Sequence, residues 1–110
     1  MPYLNKVILM GHAGRDGTLK ETKAGPMLSF SIATSEGKGE RKVTIWHDIT
    51  LFGKSVEWTS VGKGDLVLVE GRITKREHEG KVYPGVMADR VMNLSAKPKG
   101  KFEQEEEVPY

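Results

Sequence analysis

The histidines are the side chains best suited to acid–base or metal chemistry, and His12, His47 and His78 lie far apart in the chain. The sequence has no cysteine and no HExxH or His-x-His pattern, so it offers no recognisable set of metal ligands. His47 and Asp48 are neighbours on a predicted strand, where consecutive side chains point to opposite faces and do not act as a pair. No serine stands in a G-x-S-x-G turn, and the glycines beside His12 lack the spacing of a phosphate-binding loop. We therefore expect no enzymatic activity, no metal and no cofactor.

Aromatic and basic side chains offer a different chemistry, the binding of an unpaired nucleic acid strand. Such strands are held by rings on which bases stack, at about 1–3 kcal/mol per base, and by cations that follow the phosphates. Trp46 and Phe52 are an even number of residues apart in a predicted strand, so both belong to one face, and Lys54 continues that parity. The alternative, in which one or both rings fill the protein core, stays open at this point.

A second basic segment, residues 72–76, ends the next predicted strand. Its polar members Arg72, Thr74, Lys75 and Arg76 can line the same groove as the rings, or they can be an ordinary solvated strand end. The net charge of the 110-residue chain is only +2, but the last eight residues contain four glutamates and no base. Without those four, 17 basic and 11 acidic side chains remain, a net charge of +6. A basic body with an acidic tail is typical of nucleic-acid-binding proteins, although solubilising charge alone also explains it.

The elements that must position these residues are mostly strands. A chain of 110 residues is the size of one domain, and no segment is apolar over the ~18 residues that cross a membrane. Apolar runs and alternating patterns predict strands over residues 7–11, 27–34, 43–52, 65–73 and 82–94, and one short helix over 54–61. Gly71 is expected to mark a bend or bulge. Five strands with a helix between the third and fourth match the all-β, five-stranded oligonucleotide-binding (OB) barrel, although an SH3-like barrel or a small sandwich also has five strands.

The end of the chain has its own chemistry. After a basic linker, residues 97–102, the last eight residues join an acidic run to the apolar residues Val108, Pro109 and Tyr110. This combination suits docking into an apolar pocket with a basic rim, including capture of the terminal carboxylate. We expect a division into a barrel domain at 1–96, the linker at 97–102 and an acidic tip at 103–110, and the tip can also compete with nucleic acid for the basic groove. No leader peptide is recognisable, so we expect a soluble, intracellular protein.

Several segments in order resemble the bacterial and phage single-stranded DNA-binding protein family. They are NKVILMGHAGRD at 5–16, FSIATSE at 30–36, WHDITLFGK at 46–54, KGDLVLVEGRI at 63–73 and the terminal EEEVPY. The third of these segments is the most specific, and the last is similar to an acidic tip that ends in Ile-Pro-Phe. Together they extend over nearly the whole chain.

The resemblance implies an OB-fold protein that binds and protects single-stranded DNA without sequence specificity during replication, recombination and repair. It implies that Trp46 and Phe52 stack on bases, with Lys54, Arg72, Thr74, Lys75 and Arg76 along the DNA path. It also implies a homotetramer with His47 at a subunit interface, in the cytoplasm of a bacterium or of a phage-infected host. Replication and repair proteins are the expected partners of the tip, at Glu105, Glu106, Glu107, Val108, Pro109 and Tyr110.

The chain departs from the family pattern at three points. Gly37 and His78 stand where the family has further tryptophans, and His78 still offers a ring for stacking. The loop at 37–42 and the predicted helix are short, and the linker is short enough to keep the tip near the barrel. A primosome-type accessory protein or an RNA-binding protein on the same barrel is the alternative.

Overall fold

The fold is built almost entirely from β-strands. In the computed structural model, residues 2–53, 55, 56 and 59–95 are described, and they contain a 3-10 helix at Gly39–Arg41 and no α-helix. Among them, no helix has the length and apolar character needed to cross a bilayer. The strands are β1 (Val7–Ala13), β2 (Thr18–Thr22), β3 (Gly25–Glu36), β4 (Val43–Phe52), β5 (Leu66–His78) and β6 (Lys81–Asn93). The predicted all-β class is confirmed.

Five of these strands close into a barrel. β1 pairs with β5, β5 with β6, β4 with β3, and β3 again with β1, all antiparallel. The ring is completed by a short parallel pairing of β4 with β6, in which Ile49 lies opposite Val86 and Thr50 opposite Met87. This closed ring leaves few exposed edges in the barrel itself.

β2 is a strand that the sequence patterns did not predict. It pairs along the first half of β3, with Thr18 opposite Ser29, while the last residues of β1 pair further along the same strand. β1 and β2 therefore act as two segments of one bent strand. Four of the five β2 residues are exposed, so the segment has no buried alternation by which to recognise it.

The barrel interior is filled by apolar side chains, most of them β-branched. On β3, Leu28, Phe30 and Ile32 are buried, and on β4 the buried residues are Ile49 and Leu51. β1, β5, β6 and the segment between β4 and β5 complete the core with Ala13, Val67, Val69, Val86, Ala88, Val56 and Val61. The strict alternation means that the intervening residues on β3 and β4 point away from the core.

Two departures from regular pairing shape the barrel. The predicted irregularity at Gly71 is confirmed, because the β5–β6 register shifts between Glu70 and Gly71. Gly71 is buried there, and a Cβ would collide with the carbonyl oxygen of Met87. On the other side, Gly11 lets β1 approach β3 so closely that a Cβ would collide with the carbonyl oxygen of Ala33.

The predicted helix at 54–61 is not seen in the described part of that segment. Instead, the amide of Val56 donates to the carbonyl of Gly53 at 3.0 Å, and that of Thr59 to the carbonyl of Val56 at 3.2 Å, the i→i+3 pattern of a 3-10 turn. Val56 and Val61 are both buried in the core. The short segment thus serves to insert two valines into the barrel, and its β-branched residues favour a helix only weakly.

Two hairpins run beyond the barrel. β3 and β4 stay paired up to Glu36 and Val43, and β5 and β6 up to His78 and Lys81. β4 pairs with β6 only at residues 49–50 and 86–87, so beyond these residues each hairpin continues as a two-stranded ribbon. The predicted linker at 97–102 and the acidic tip at 103–110 lie outside the described residues.

Candidate nucleic-acid interface

The face of β4 that points away from the core carries both aromatic rings of the strand. Ile49 and Leu51 point into the core, so Trp46 and Phe52 lie on the opposite side, together with Asp48 and Thr50. The Trp46 side chain is 57% exposed, whereas Phe52 is half-buried. The alternative in which these rings fill the core is thereby excluded for Trp46, and Phe52 is positioned at the barrel surface.

The neighbouring strand β3 provides a floor of small side chains. Ser29, Ser31 and Ala33 lie directly opposite Thr50, Asp48 and Trp46 and share their face. The hydroxyl of Ser31 donates to Oδ1 of Asp48 at 3.2 Å. Because these three side chains are small, the surface beside Trp46, Asp48 and Thr50 is low and open, whereas Met27 stands opposite Phe52.

The ring of Trp46 reaches across β3 to the end of β1. A Cβ built on Gly14 would lie 2.7 Å from Cζ3 and 2.9 Å from Cη2 of Trp46. Gly14 is itself held against β3, because its amide donates to the carbonyl of Ser31 at 3.2 Å. The tryptophan thus rests on a glycine backbone and keeps its other side exposed.

The β5–β6 ribbon continues the same face. Met87 pairs with Thr50 on β4 and with Arg72 on β5, and paired residues point to the same side of a sheet. Two residues further along each strand, the same side carries Thr74 opposite Gly85, Arg76 opposite Tyr83, and His78 opposite Lys81. We call the surface made by these residues and by Ser29, Ser31, Ala33, Trp46, Asp48, Thr50 and Phe52 the outer face.

The predicted site residues are therefore only partly brought together. Arg72, Thr74, Arg76 and His78 lie on the outer face with Trp46 and Phe52. Lys75 pairs with Pro84 and points to the opposite side of the ribbon. Lys54 and the tip residues 105–110 lie outside the described residues.

His47 lies on the core-facing side of β4. Its Nε2 is 2.9 Å from the hydroxyl oxygen of Thr34, and its side chain is half-buried. The apolar residues Val43 and Ile45 share this side of β4 and are exposed, because the strand has run past the end of the barrel there. His47 is thus separate from the outer face and borders an exposed apolar surface.

The sequence patterns did not identify three further residues on the side of the sheet that forms the outer face, namely Lys20, Tyr83 and Lys81. Lys20 on β2 pairs with Met27, which pairs with Phe52, so a cation extends the outer face beyond the second ring, on the far side of Met27. Tyr83 is 39% exposed opposite Arg76, and Lys81 lies opposite His78. Alternation along β6 relative to Met87 would have indicated Tyr83, whereas Lys20 is revealed only by the pairing of β2 with β3.

The two positions at which the family has tryptophans differ in their surroundings. Gly37 has a φ of +93°, and a Cβ there would collide with the carbonyl oxygen of Arg41. The tight β3–β4 loop therefore needs a glycine at that point. His78 stands at the exposed end of β5, with its Nε2 3.6 Å from Oε2 of Glu79. Within the described part of the chain, no three His, Asp or Glu side chains are grouped so as to hold a metal ion.

Comparison with known proteins agrees with this geometry. The single-strand binding protein family model matches residues 4–92. A single-stranded DNA-binding protein of Neisseria meningitidis is 42% identical over 86 residues, covering 71% of this chain, and the chain spans about half (49%) of that relative's length. The Thermotoga maritima protein of the same name is 33% identical over 125 aligned positions, covering 99% of this chain and 89% of its own.

A solved structure shares the fold. It is described as a Plasmodium falciparum SSB complex with single-stranded DNA, and it superposes with a TM-score of 0.72 at 23% identity. The match covers 86% of this chain and 97% of the Plasmodium chain. With the family model matched along most of the barrel, this chain belongs to the single-strand binding protein family.

Proposed function

We propose that this protein is a non-catalytic binder of single-stranded DNA, which lies along the outer face. The observation that carries the proposal is the exposed Trp46 ring on the same face as Phe52, Arg72 and Arg76. Rings and cations in one open surface provide both contacts that an unpaired strand needs, and a base in a duplex has no free face to offer. Family membership supports the same function.

Stacking on Trp46 and Phe52 supplies the contacts with bases. Every base has a π-face, so stacking holds a strand without requiring a particular sequence. The two rings are six residues apart, which corresponds to roughly 20 Å of extended strand and leaves room for intervening nucleotides. Tyr83 extends the row of aromatic residues onto the ribbon, where His78 stands in the place of a family tryptophan.

The phosphates are neutralised by cations on both sides of the rings. Lys20 lies across Met27 from Phe52, and Arg72, Arg76 and Lys81 follow the ribbon; Lys54, predicted from the sequence, adds to them. Each phosphate neutralised on a single strand contributes about −0.7 to the slope of log K against log salt. Four such contacts give a slope of about −3, so affinity depends strongly on salt.

We also propose that the protein acts as a homotetramer. On β1, Ile8 and Met10 are 61% and 54% exposed, and they pair with Glu70 and Leu68 on β5. Together with half-buried Leu68 and Met92 they make an apolar surface that does not overlap the outer face. Val43 and Ile45 beside His47 form another. Contiguous exposed apolar surface of this kind favours association.

The acidic tip at 103–110 completes the proposal. Its glutamates and the terminal Val108, Pro109 and Tyr110 suit a basic-rimmed apolar pocket on a replication or repair protein. In this arrangement the barrel at 1–96 coats DNA in the cytoplasm during replication, recombination and repair. The short linker at 97–102 keeps the tip near the outer face, where it competes with the phosphates.

The test of DNA binding is a fluorescence titration with oligo-dT at two salt concentrations. A Trp58→Phe variant leaves Trp46 as the only tryptophan, so quenching reports on that ring. We expect strong quenching, weaker binding at high salt, and little binding of a duplex of equal length. An oligoribonucleotide of the same length tests the RNA alternative. Absence of binding to the single strand at low salt would refute the proposed function.

A further inference from the structure

An acidic side chain occupies the middle of the outer face. Asp48 is exposed and lies two residues from Trp46 on the same side of β4, about 6.6 Å along the strand. Among the described residues, no lysine, arginine or histidine nitrogen lies within 4.0 Å of its carboxylate. A carboxylate at this point opposes the phosphates that the surrounding cations attract.

The surroundings of Asp48 hold its carboxylate in place and leave it accessible. The Ser31 hydroxyl donates to Oδ1 at 3.2 Å and leaves the other carboxylate oxygen available. On the other side, Gly85 lies beside the β4 backbone, with a built Cβ 3.6 Å from the main-chain oxygen of Asp48. Because neither neighbouring strand places a large side chain here, a nucleotide can approach the carboxylate.

The chemistry of a nucleotide determines which part of it meets this carboxylate. A phosphate is repelled by it, whereas a base edge that donates a hydrogen bond is attracted. An aspartate accepts well from the exocyclic amino group of cytosine. Uracil and thymine carry a carbonyl oxygen at that same ring position, and two acceptors face each other unfavourably.

We propose that Asp48 is a specificity-determining residue, which accepts a hydrogen bond from the amino group of a base next to the one stacked on Trp46. The protein then favours cytosine over uracil or thymine at this position while remaining tolerant of sequence elsewhere. This inference rests on the proposed binding of single-stranded DNA. It adds a directional contact with a base edge to stacking contacts that do not distinguish bases.

The test compares oligo-dC with oligo-dU of equal length by fluorescence anisotropy at pH 8. Cytosine and uracil differ in the groups along the base edge. Because uracil lacks the methyl group of thymine, the two bases offer similar surfaces for stacking. The quantity measured is the ratio of the Kd for oligo-dU to the Kd for oligo-dC. We expect this ratio to be about fivefold higher in the unaltered protein than in Asp48→Ala, which is the size of one ordinary hydrogen bond, because the site is exposed to water.

Three further variants make the comparison specific. Glu21→Ala removes one negative charge from β2 on the side away from Lys20 and is expected to leave the ratio unchanged. Ser31→Ala removes the hydrogen bond that holds the carboxylate, and we expect it to lower the ratio in part. Asp48→Asn keeps the size of the side chain and is expected to bind oligo-dU more tightly than the unaltered protein does.

Two outcomes would overturn the inference, and in both the ratio is the same in the unaltered protein and in Asp48→Ala. If neither oligomer changes in affinity, the carboxylate does not contact a base edge. If both oligomers gain affinity by the same factor, Asp48 acts only as a repelling charge. Tight binding with either result leaves the proposed function standing, whereas no binding of either oligomer would overturn both.

Discussion

The ring of Trp46 rests on the backbone of Gly14. A Cβ at position 14 would stand 2.7 Å from Cζ3 of the ring, well inside van der Waals contact. Gly14 is not among the glycines with positive φ, so an alanine is conformationally acceptable there and only the ring forbids it. The contact fixes one side of a ring whose other side is proposed to receive a base, which reduces the entropy lost on binding.

Gly14→Ala should therefore weaken DNA binding with little effect on folding. The added methyl group displaces the Trp46 ring, and we expect the Kd for oligo-dT to rise about three- to tenfold. Anisotropy titrations and thermal unfolding measure the two effects separately. Gly62→Ala is the matched control, because a Cβ there meets only carboxylate atoms of Asp65 and Asp16, at 3.4 Å or more. Equal affinities for the two variants would contradict the role given to this contact.

Removal of Trp46 should lower the affinity for DNA alone, whereas removal of Phe52 should lower both the affinity and the stability of the fold. Trp46→Ala deletes a largely exposed ring, so we expect a loss of about 1–3 kcal/mol in binding to oligo-dT, about 5- to 150-fold in Kd. The unfolding temperature should change little. Phe52→Ala deletes a half-buried ring and should lower both affinity and stability. A Trp46→Ala protein that binds as tightly as the unaltered one would move the DNA path away from β4.

Arg76 and Lys75 are neighbours on opposite faces of the ribbon, which makes them a matched pair. Arg76→Ala removes a cation from the outer face, so the slope of log K against log salt should become shallower by about 0.7. Lys75→Ala removes the same charge from the other side and should change the slope less. The measurement is a set of oligo-dT titrations between low and moderate salt. Equal changes would show that DNA touches both sides of the ribbon.

Met10→Glu should separate the subunits. The change places a charge in the apolar surface formed with Ile8, Leu68 and Met92, and a buried unpaired charge opposes association. We expect light scattering after size exclusion to give a smaller species than the unaltered protein, with the circular dichroism spectrum retained. An unaltered protein that is already monomeric would refute the proposed tetramer, and an unchanged oligomer in the variant would exclude β1 from the interface.

Asn5 stabilises the point at which the ribbon leaves the barrel. Its side-chain amide donates to the carbonyl of Ile73 at 2.9 Å and accepts from the amide of the same residue at 3.0 Å. Asn5→Ala should lower the free energy of unfolding by about 1–2 kcal/mol, measured with urea. Asn5→Asp keeps only the acceptor and should have an intermediate effect. No change in either variant would show that water replaces both bonds without cost.

Local patterns were sufficient to predict the barrel strands and the shared face of Trp46 and Phe52, because alternation along a strand is written in its own residues. The neighbouring strands with which each strand pairs cannot be read from those residues. The positions of Lys20 across Met27 from Phe52 and of Lys75 on the opposite side of the ribbon depend on register between strands. The helix predicted at 54–61 is not seen in the described residues for a different reason. Insertion of Val56 and Val61 into the core outweighs the weak local preference of this segment for a helix.

The register shift beside Gly71 also governs which face each part of β6 presents. Val86 and Ala88 point inward, and one extra residue, Asp89, lets Val91 rather than Arg90 return to the core. A deletion of Asp89 would remove this bulge and leave every other residue of β6 on its present face, because Ala88, Arg90 and Val91 would then alternate regularly. A one-residue deletion elsewhere in β6 would instead exchange inside for outside along part of the strand, so the bulge is the one place in this strand at which a single residue can be lost without moving a side chain to the other face.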